Sequence, residues 1–186
     1  MTVNAVPYDL CTGCGACYNT CPVSAIKMEY NEEGFFAPVI DDKICINCGL
    51  CAKICPALHP VYKNNELPSA YAVWADDGLR KASSSGGVFS VLADYVLGKG
   101  GYVCGAAYDE NLNLNHIIID SKKMLPSLRG SKYLQSNSQD SFKQIKHLLQ
   151  QDKYVLFCGV PCQVAGLNNY LGNNNYEKLI AADLLC

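Results

Sequence analysis

The side chains with the most evident chemistry in this 186-residue chain are its cysteines, twelve in number. The first eight form two runs of one spacing, C-x-x-C-x-x-C-x-x-x-C-P, and the second run repeats the first after a displacement of 34 residues. Thiolates spaced in this way along a turning loop can converge on three corners of an iron–sulfur cluster, and the loop N–H groups can hydrogen-bond its sulfurs. The spacing therefore predicts metal ligation by Cys11, Cys14, Cys17, Cys21, Cys45, Cys48, Cys51 and Cys55.

Each run resembles the ligand pattern of bacterial two-cluster ferredoxins, in which the fourth cysteine ligates the other cluster. Two alternatives fit less well. A structural zinc site has no use for the third cysteine or for the Cys-Pro ending, and disulfides are rare in a reducing compartment. The resemblance implies two [4Fe–4S] clusters with crossed ligand sets. The first set is Cys11, Cys14, Cys17 and Cys55, and the second is Cys45, Cys48, Cys51 and Cys21.

The elements around these loops are short. Gly15 and Gly49 recur with the cysteines, and they fit a backbone that passes close to inorganic sulfur, where a Cβ would crowd it. Two strand patterns, Ile26–Tyr30 and Phe36–Ile40, flank a turn at 31–34 and predict a small hairpin over the clusters. We therefore assign residues 1–60 to an α+β ferredoxin-like module with two clusters.

A polar, proline-flanked stretch, 61–69, is predicted to be a linker. Beyond it, strand and helix patterns alternate, which indicates an α/β domain over 70–186 with a largely parallel sheet. The predicted helices are 88–98, 142–149 and 162–171, and the predicted strands are 70–75, 102–108, 115–120, 154–158 and 179–184.

Three motifs lie at junctions between these elements. The loop 83–87 contains three serines and two glycines before a helix, which suits either an anion at the helix N-terminus or a simple serine N-cap. The basic segment 129–133 could hold a pyrophosphate, with Tyr133 stacked on a ring, or could be a solvated loop. The third motif, 158–163, follows a strand at the sheet edge where ligands collect in α/β folds. Cys104 and Cys158 are interpreted as buried bystanders.

No side chain stands out from the sequence as an acid, base or nucleophile. His59, His116 and His147 lie apart from one another, and each is predicted to be a surface or packing residue. The lone tryptophan, Trp74, is predicted to lie in the core.

Taken together, S-S-S-G-G-V-F, R-G-S-K-Y-x-Q-S and G-V-P-C-Q-x-A-G-L, in this order behind a ferredoxin module, resemble the family of coenzyme F-420 hydrogenase/dehydrogenase beta subunits. The resemblance covers residues 70–186 and implies an iron–sulfur flavoprotein that binds FAD. It also implies two ligands of a further cluster, Cys162 and Cys186. The residues that it implies at the flavin are Ser84, Ser85, Gly86, Gly87, Gly130, Ser131, Lys132 and Tyr133.

The remaining ligands of that further cluster lie beyond Cys186 in the family. We therefore expect the α/β domain to be truncated at its C-terminus, as a fragment or as half of a split protein. A third [4Fe–4S] cluster is expected only if the missing part or a companion chain supplies ligands. The last strand would also present an apolar edge that needs a partner.

The resemblance predicts an oxidoreductase component that relays electrons through two clusters to or from FAD and a hydride-accepting substrate such as coenzyme F-420. The alternative is a ferredoxin-like carrier or assembly module whose α/β part is a docking surface without flavin. Either function needs a redox partner, which is a separate protein or another subunit. A net charge of −2 argues against general nucleic-acid binding. No apolar run approaches the roughly 18 residues of a membrane span, and no secretory signal is evident, so a cytoplasmic location is expected.

Overall fold

The computed structural model describes residues 2–60, 67–172 and 174–184. Residues 61–66 of the predicted linker and the predicted ligand Cys186 therefore lie outside the described residues. Among the described helices, none is both long and apolar enough to cross a membrane.

The N-terminal part consists of one hairpin and two short helices. The hairpin pairs β1 (Ile26–Tyr30) with β2 (Phe36–Ile40) in antiparallel register, as the sequence predicts. Helices α1 (Ala16–Thr20) and α2 (Leu50–Lys53) are not among the predicted elements. Each begins after one of the repeated glycines, Gly15 and Gly49, which both adopt left-handed backbone angles with φ of 80° and 75°.

The second part is built on a four-stranded sheet in the order β4-β3-β5-β6. Strands β3 and β4 form an antiparallel hairpin, whereas β3 and β5, and β5 and β6, are parallel. The prediction of an α/β domain is confirmed, with a mixed sheet in place of a largely parallel one. The strands are β3 (Tyr102–Tyr108), β4 (Leu114–Ile119), β5 (Val155–Gly159) and β6 (Leu179–Asp183).

The described residues of this part form five α-helices, and four of them pack in two cores on opposite faces of the sheet. The helices are α3 (Asp77–Lys81), α4 (Val88–Gly98), α5 (Leu125–Leu128), α6 (Ser141–Gln150) and α7 (Pro161–Leu171). One core joins α4 and α5 to Leu156 of β5, and the other joins α6 and α7 to the neighbouring Val155 and Phe157. Successive strand residues point to opposite faces, so both faces of β5 are buried.

The core on the α6 and α7 side extends into the N-terminal part. Cys14 and Ala16 are buried in the same apolar cluster as Phe142 of α6 and Leu167 of α7. The segment that carries Cys14 and leads into α1 is therefore packed directly against the α/β part.

The predicted strand at 70–75 is wrong, and so is the core position predicted for Trp74. Residues 68–76 are irregular, and the side chains of Tyr71 and Trp74 are 81% and 70% exposed. The Ala75 N–H donates a hydrogen bond to the Gly86 carbonyl, which ties this segment to a loop instead of to a strand. The apolar pattern predicted burial, but no neighbouring strand among the described residues provides a ladder for it.

Candidate functional site

The four cysteines predicted to form the first set lie close together. Cys11 and Cys55 are near enough to act electrostatically on Cys14 and on Cys17. Cys14, Cys17 and Cys55 are buried, and Cys11 is half-buried. The chain thus brings the fourth cysteine of the second run beside the first three of the first run, which is the arrangement that crossed ligation requires.

Burial sets the protonation of these thiols. It raises the pKa of Cys14 to about 12, while a hydrogen bond from the Ala16 N–H opposes the rise. It raises the pKa of Cys17 as well, and the nearby thiols add to the effect. Sulfurs in such a setting become thiolates when a metal cation balances their charge. The donor set therefore fits a thiolate-ligated cluster.

The second predicted set also converges. All four of its cysteines line one small cavity, together with residues of the hairpin and the start of α2; they are Cys21, Cys45, Cys48 and Cys51. Two backbone groups donate to its sulfurs: the Val3 N–H lies 3.3 Å from Cys51 Sγ, and the Ala25 N–H lies 3.2 Å from Cys21 Sγ. Cys48 is exposed, so this set faces solvent.

Among the described residues, no three His, Cys, Asp or Glu side chains meet around the position of a single metal ion. A four-iron cluster holds its ligands at the corners of a larger cage, so cluster ligation does not need such close convergence.

The structure adds a reason for glycine at position 15 that the sequence does not predict. A Cβ on this residue would lie 1.9 Å from Ser138 Oγ, at the boundary with the α/β part, and φ is +80°. Close approach to a protein hydroxyl therefore also favours glycine here.

A cavity of about 470 Å³ opens in the α/β part, beside the end of β5 and the start of α7. All three sequence motifs contribute to its wall: Ser83–Gly87 from one side, Arg129–Lys132 from another, and Cys158–Val160 with Gln163 from the sheet edge. This size lies within the range of cofactor pockets. The convergence of three distant segments makes it a candidate binding site.

The serine–glycine loop is held in place by close contacts. Gly87 precedes α4 with φ +84°, and a Cβ there would lie 3.0 Å from the Ala75 Cβ. A Cβ on Gly86 would lie 2.9 Å from the Val73 carbonyl oxygen. Larger residues at either position would force the loop or the segment at 73–75 to move. The loop therefore forms a narrow cradle at the N-terminus of an eleven-residue helix.

The basic segment faces the same cradle. Arg129 Nε donates a 3.0 Å hydrogen bond to Ser90 Oγ in α4, and Ser131 Oγ lies 3.4 Å from Ser84 Oγ. Lys132 Nζ donates to the carbonyls of Ser127 and Arg129, and partial burial lowers its pKa. The guanidinium and ammonium groups give this wall of the cavity positive charge.

Tyr133 is the exception among the eight residues that the resemblance implied at a flavin. Its side chain is 92% exposed, and it does not line the cavity, whereas the other seven do. The role of Tyr133 as a stacking partner stays a prediction without support from this geometry.

A buried polar network forms another wall; Ser136 and Gln163 belong to the second and third motifs, whereas no motif contains His116. His116 Nε2 donates to the Cys158 carbonyl at 3.1 Å, so its Nδ1 accepts from the Ser136 hydroxyl at 3.0 Å. Gln163 Nε2 donates to the carbonyl and hydroxyl of Ser136, and its Oε1 accepts from the Val160 N–H. Burial lowers the pKa of His116 to about 4, so the imidazole is neutral near pH 7. In the sequence, only the place of His116 within a predicted strand could have indicated that its side chain points inward.

The remaining cysteines divide between the core and the cavity. Cys104 is buried, whereas Cys158 lines the cavity and has its pKa raised to about 11 by burial and by the charge of Asp183. Cys162, in the first turn of α7, acts electrostatically on Cys14 and packs against the same core. Because Cys186 lies outside the described residues, the ligation of a third cluster by Cys162 and Cys186 stays a prediction.

Comparison with known proteins agrees with this geometry. Residues 10–58 match the model of the 4Fe-4S dicluster domain. They are a two-cluster iron–sulfur domain. Over 97% of its length the chain is 24% identical to a subunit of the F(420)H(2) dehydrogenase of Methanosarcina mazei, and it covers 54% of that subunit. The predicted resemblance to F-420 hydrogenase and dehydrogenase subunits is confirmed.

The chain thus spans about half the length of the curated relative it matches. A solved structure of the F420-reducing [NiFe] hydrogenase complex from Methanosarcina barkeri, derivatised with xenon, aligns with 50% of this chain and 32% of the matched chain. The identity is 23% and the TM-score is 0.40. The dicluster match and the curated relative establish an iron–sulfur electron-transfer component related to F420 dehydrogenase subunits.

Proposed function

We propose that this chain is an iron–sulfur flavoprotein component that holds two [4Fe–4S] clusters and binds FAD in the cavity of its α/β part. The observation that carries the proposal is the convergence of three sequence motifs on one cavity, to which helix α7 contributes Gln163, while Gly166 of the same helix lies beside Cys14 of the first set. When bound, the clusters supply one-electron transfer and the flavin exchanges single electrons for hydride-type chemistry.

The lining of the cavity fits the parts of FAD. Arg129 and Lys132 supply positive charge for a pyrophosphate, and the loop of Gly86 and Gly87, closely packed on Val73 and Ala75, places the N-terminus of α4 at the cavity. Apolar groups complete the wall and suit a ring; they include Val73, Val88, Phe89, Leu114, Leu128, Leu134 and Leu184. A mostly apolar lining with a few polar groups is typical of cofactor sites.

The polar network of His116, Ser136 and Gln163 orients the sheet edge of this site. The neutral imidazole fixes the Cys158 carbonyl, and Gln163 fixes the first turn of α7. Because the polar atoms of these three side chains bond to one another or to the backbone, the network holds this wall of the cavity in one arrangement.

The proposals for the substrate and the partners rest on the named relative. The relative in Methanosarcina mazei is named a subunit of an F(420)H(2) dehydrogenase, so we propose that this chain acts with partner subunits and that coenzyme F-420 is its hydride donor or acceptor. We also propose a cytoplasmic location, because cysteines that bind clusters are typical of a reducing compartment.

Anaerobic reconstitution of the full chain with iron, sulfide and FAD, followed by quantification of all three, tests the proposal. We expect about eight irons, from two four-iron clusters, and one flavin per chain. Eight irons without retained flavin would favour the alternative, a carrier or assembly module whose α/β part only docks.

A matched pair of glycine variants tests the location of the flavin. Gly87→Ala places a methyl group 3.0 Å from Ala75 and strains a positive φ, so we expect loss of flavin with iron unchanged. Gly98→Ala, at the other end of α4, enters open space and is the control. Full flavin retention in folded Gly87→Ala would contradict the proposed cradle.

A further inference from the structure

We propose that three amide side chains, Asn19, Gln135 and Asn169, are positioning residues that fix the first cysteine set against the α/β part. This inference rests on the cluster assignment within the proposed function. Each amide bonds a backbone group next to a cysteine of the first set, and each makes at least one bond between the N-terminal part and the α/β part.

Gln135 holds the loop between the first two cysteines. Its Nε2 donates to the Thr12 carbonyl at 3.1 Å, and its Oε1 accepts from the Phe36 N–H at 2.6 Å. A Cβ on Gly13 would lie 2.5 Å from this Nε2 and 2.3 Å from the Phe36 carbonyl oxygen, so the amide is closely fitted to the loop. The Gln135 side chain thus joins the cysteine loop and the hairpin to a segment whose Leu134 and Ser136 line the cavity.

Asn19 holds the helix that carries Cys17. Its Nδ2 donates to the Gly15 carbonyl at 3.0 Å and to the Gln139 carbonyl at 2.8 Å, and its Oδ1 accepts from the Lys143 N–H at 3.2 Å. The side chain is buried, so these bonds are sheltered from water. Asn19 therefore fastens α1 to the start of α6.

Asn169 holds the segment of the fourth ligand. Its Nδ2 donates to the Ile54 carbonyl at 3.1 Å and to the His59 carbonyl at 3.0 Å, on either side of Cys55. On the same helix, a Cβ on Gly166 would lie 3.0 Å from Cys14 Sγ. Helix α7 consequently touches both the first loop and the crossing ligand of the first set.

The second set has a different environment. Cys51 is buried with Val3, Cys17 and Ile26 in a core of the N-terminal part, and Cys48 is exposed. Although Cys17 of the first set shares this core, none of the amide bonds reaches a residue next to Cys45, Cys48 or Cys51. Loss of the bonds of Gln135 or Asn169 should therefore loosen the first set and leave the second set unchanged. A general loss of stability would instead affect both sets.

The test measures how fast each cluster loses iron to a water-soluble chelator, in the anaerobically reconstituted full chain. We expect two phases, with the faster one from the exposed second set. Cys48→Ser removes a ligand of that set, so loss of the faster phase in this variant assigns it. Electron paramagnetic resonance of the reduced protein follows the two clusters during the challenge.

Gln135→Met and Asn169→Leu remove the amides and keep side-chain volume. The exposed Gln150→Met and the neighbouring Asn168→Leu are their controls. We expect each amide variant to accelerate the slower phase about tenfold, the effect of losing one or two hydrogen bonds, with the faster phase unchanged. The controls should match the parent chain in both phases.

An unchanged slower phase in both folded amide variants, or equal acceleration of both phases, would overturn the inference. The two amide variants alter different segments, so either one suffices if the other does not fold. Failure to load about eight irons in the parent chain would instead contradict the proposed function, before any variant is compared.

Discussion

Replacement of Gly15 by alanine measures how tightly α1 is packed against the α/β part. The new Cβ would lie 1.9 Å from Ser138 Oγ and 3.2 Å from Ser138 Cβ, with φ at +80°. Two costs therefore combine: the left-handed backbone, about 1–2 kcal/mol for a residue with a Cβ, and the displacement of Ser138 or α1, about 1–3 kcal/mol for overpacking. We expect Gly15→Ala to lower the free energy of unfolding by about 2–5 kcal/mol, the sum of these two ranges.

Gly34 separates the two costs. It has nearly the same backbone angle, φ +81°, but a Cβ there meets no atom within 4 Å. Gly34→Ala should therefore show the backbone cost alone, about 1–2 kcal/mol. Ser138→Ala provides the converse test, because the Ser138 hydroxyl is buried without a hydrogen-bond partner among the described residues. Removal of that hydroxyl should raise stability by about 1–3 kcal/mol.

The assay is anaerobic thermal unfolding of the reconstituted chain, followed by circular dichroism at equal iron content. A change of 1 kcal/mol corresponds to a midpoint shift of about 2–4 °C in a chain of this size. In the Ser138→Ala background, Gly15→Ala should cost little more than Gly34→Ala. If Gly15→Ala costs the same as Gly34→Ala in the parent background, α1 is not packed against Ser138 and the reasoning is refuted.

Three further predictions concern the α/β part. The pKa of His116 is lowered to about 4, below its unfolded value of about 6.5, so the free energy of unfolding should fall by about 3 kcal/mol as the pH falls from about 6.5 to about 4. Unfolding of His116→Gln, measured at several pH values, should show a weaker pH dependence. Phe142→Ala, in the core shared with Cys14, should lower the free energy of unfolding by about 3–5 kcal/mol, whereas the half-exposed Phe35→Ala should change it by less than about 0.5 kcal/mol in the same thermal assay. In a fluorescence titration, Arg129→Gln should weaken FAD binding about 10–100-fold. Riboflavin binding should not change, because riboflavin lacks the pyrophosphate. Equal weakening of FAD and riboflavin binding would mean that Arg129 does not bind the pyrophosphate.

The local patterns in the sequence were sufficient for most elements of the α/β part. The helix at Val88–Gly98 and the strand at Tyr102–Tyr108 have the predicted bounds, because the helix combines a clear hydrophobic period with glycines at its ends and the strand lies between Gly101 and a polar turn. The alternation at 70–75 follows the same rule and failed, because burial of Trp74 needs a neighbouring strand that a local pattern cannot supply. Helices such as α5, four residues long, are too short to show a period.

The candidate site was predictable where motifs carry it and not where tertiary contacts do. The serine–glycine loop and the basic segment were both identified, and they meet at the cavity. The network around His116 depends on Ser136 and Gln163, which are 20 and 47 positions further along the chain, so no spacing rule connects them. The three amide contacts are equally non-local, since Asn and Gln have no pattern of their own at a boundary between two parts of a chain.

The shared core around Cys14 also links iron supply to folding. This residue is at once a predicted cluster ligand and a member of the apolar cluster that contains Phe142 and Leu167. Anything that binds only the folded state stabilises it by mass action, and metal binding to cysteines is a strong case of this linkage. Iron-depleted protein should therefore be cleaved faster by proteases within α6 and α7, far along the chain from the cysteine runs. The abundance of the intact chain in a cell would then follow the iron available to it.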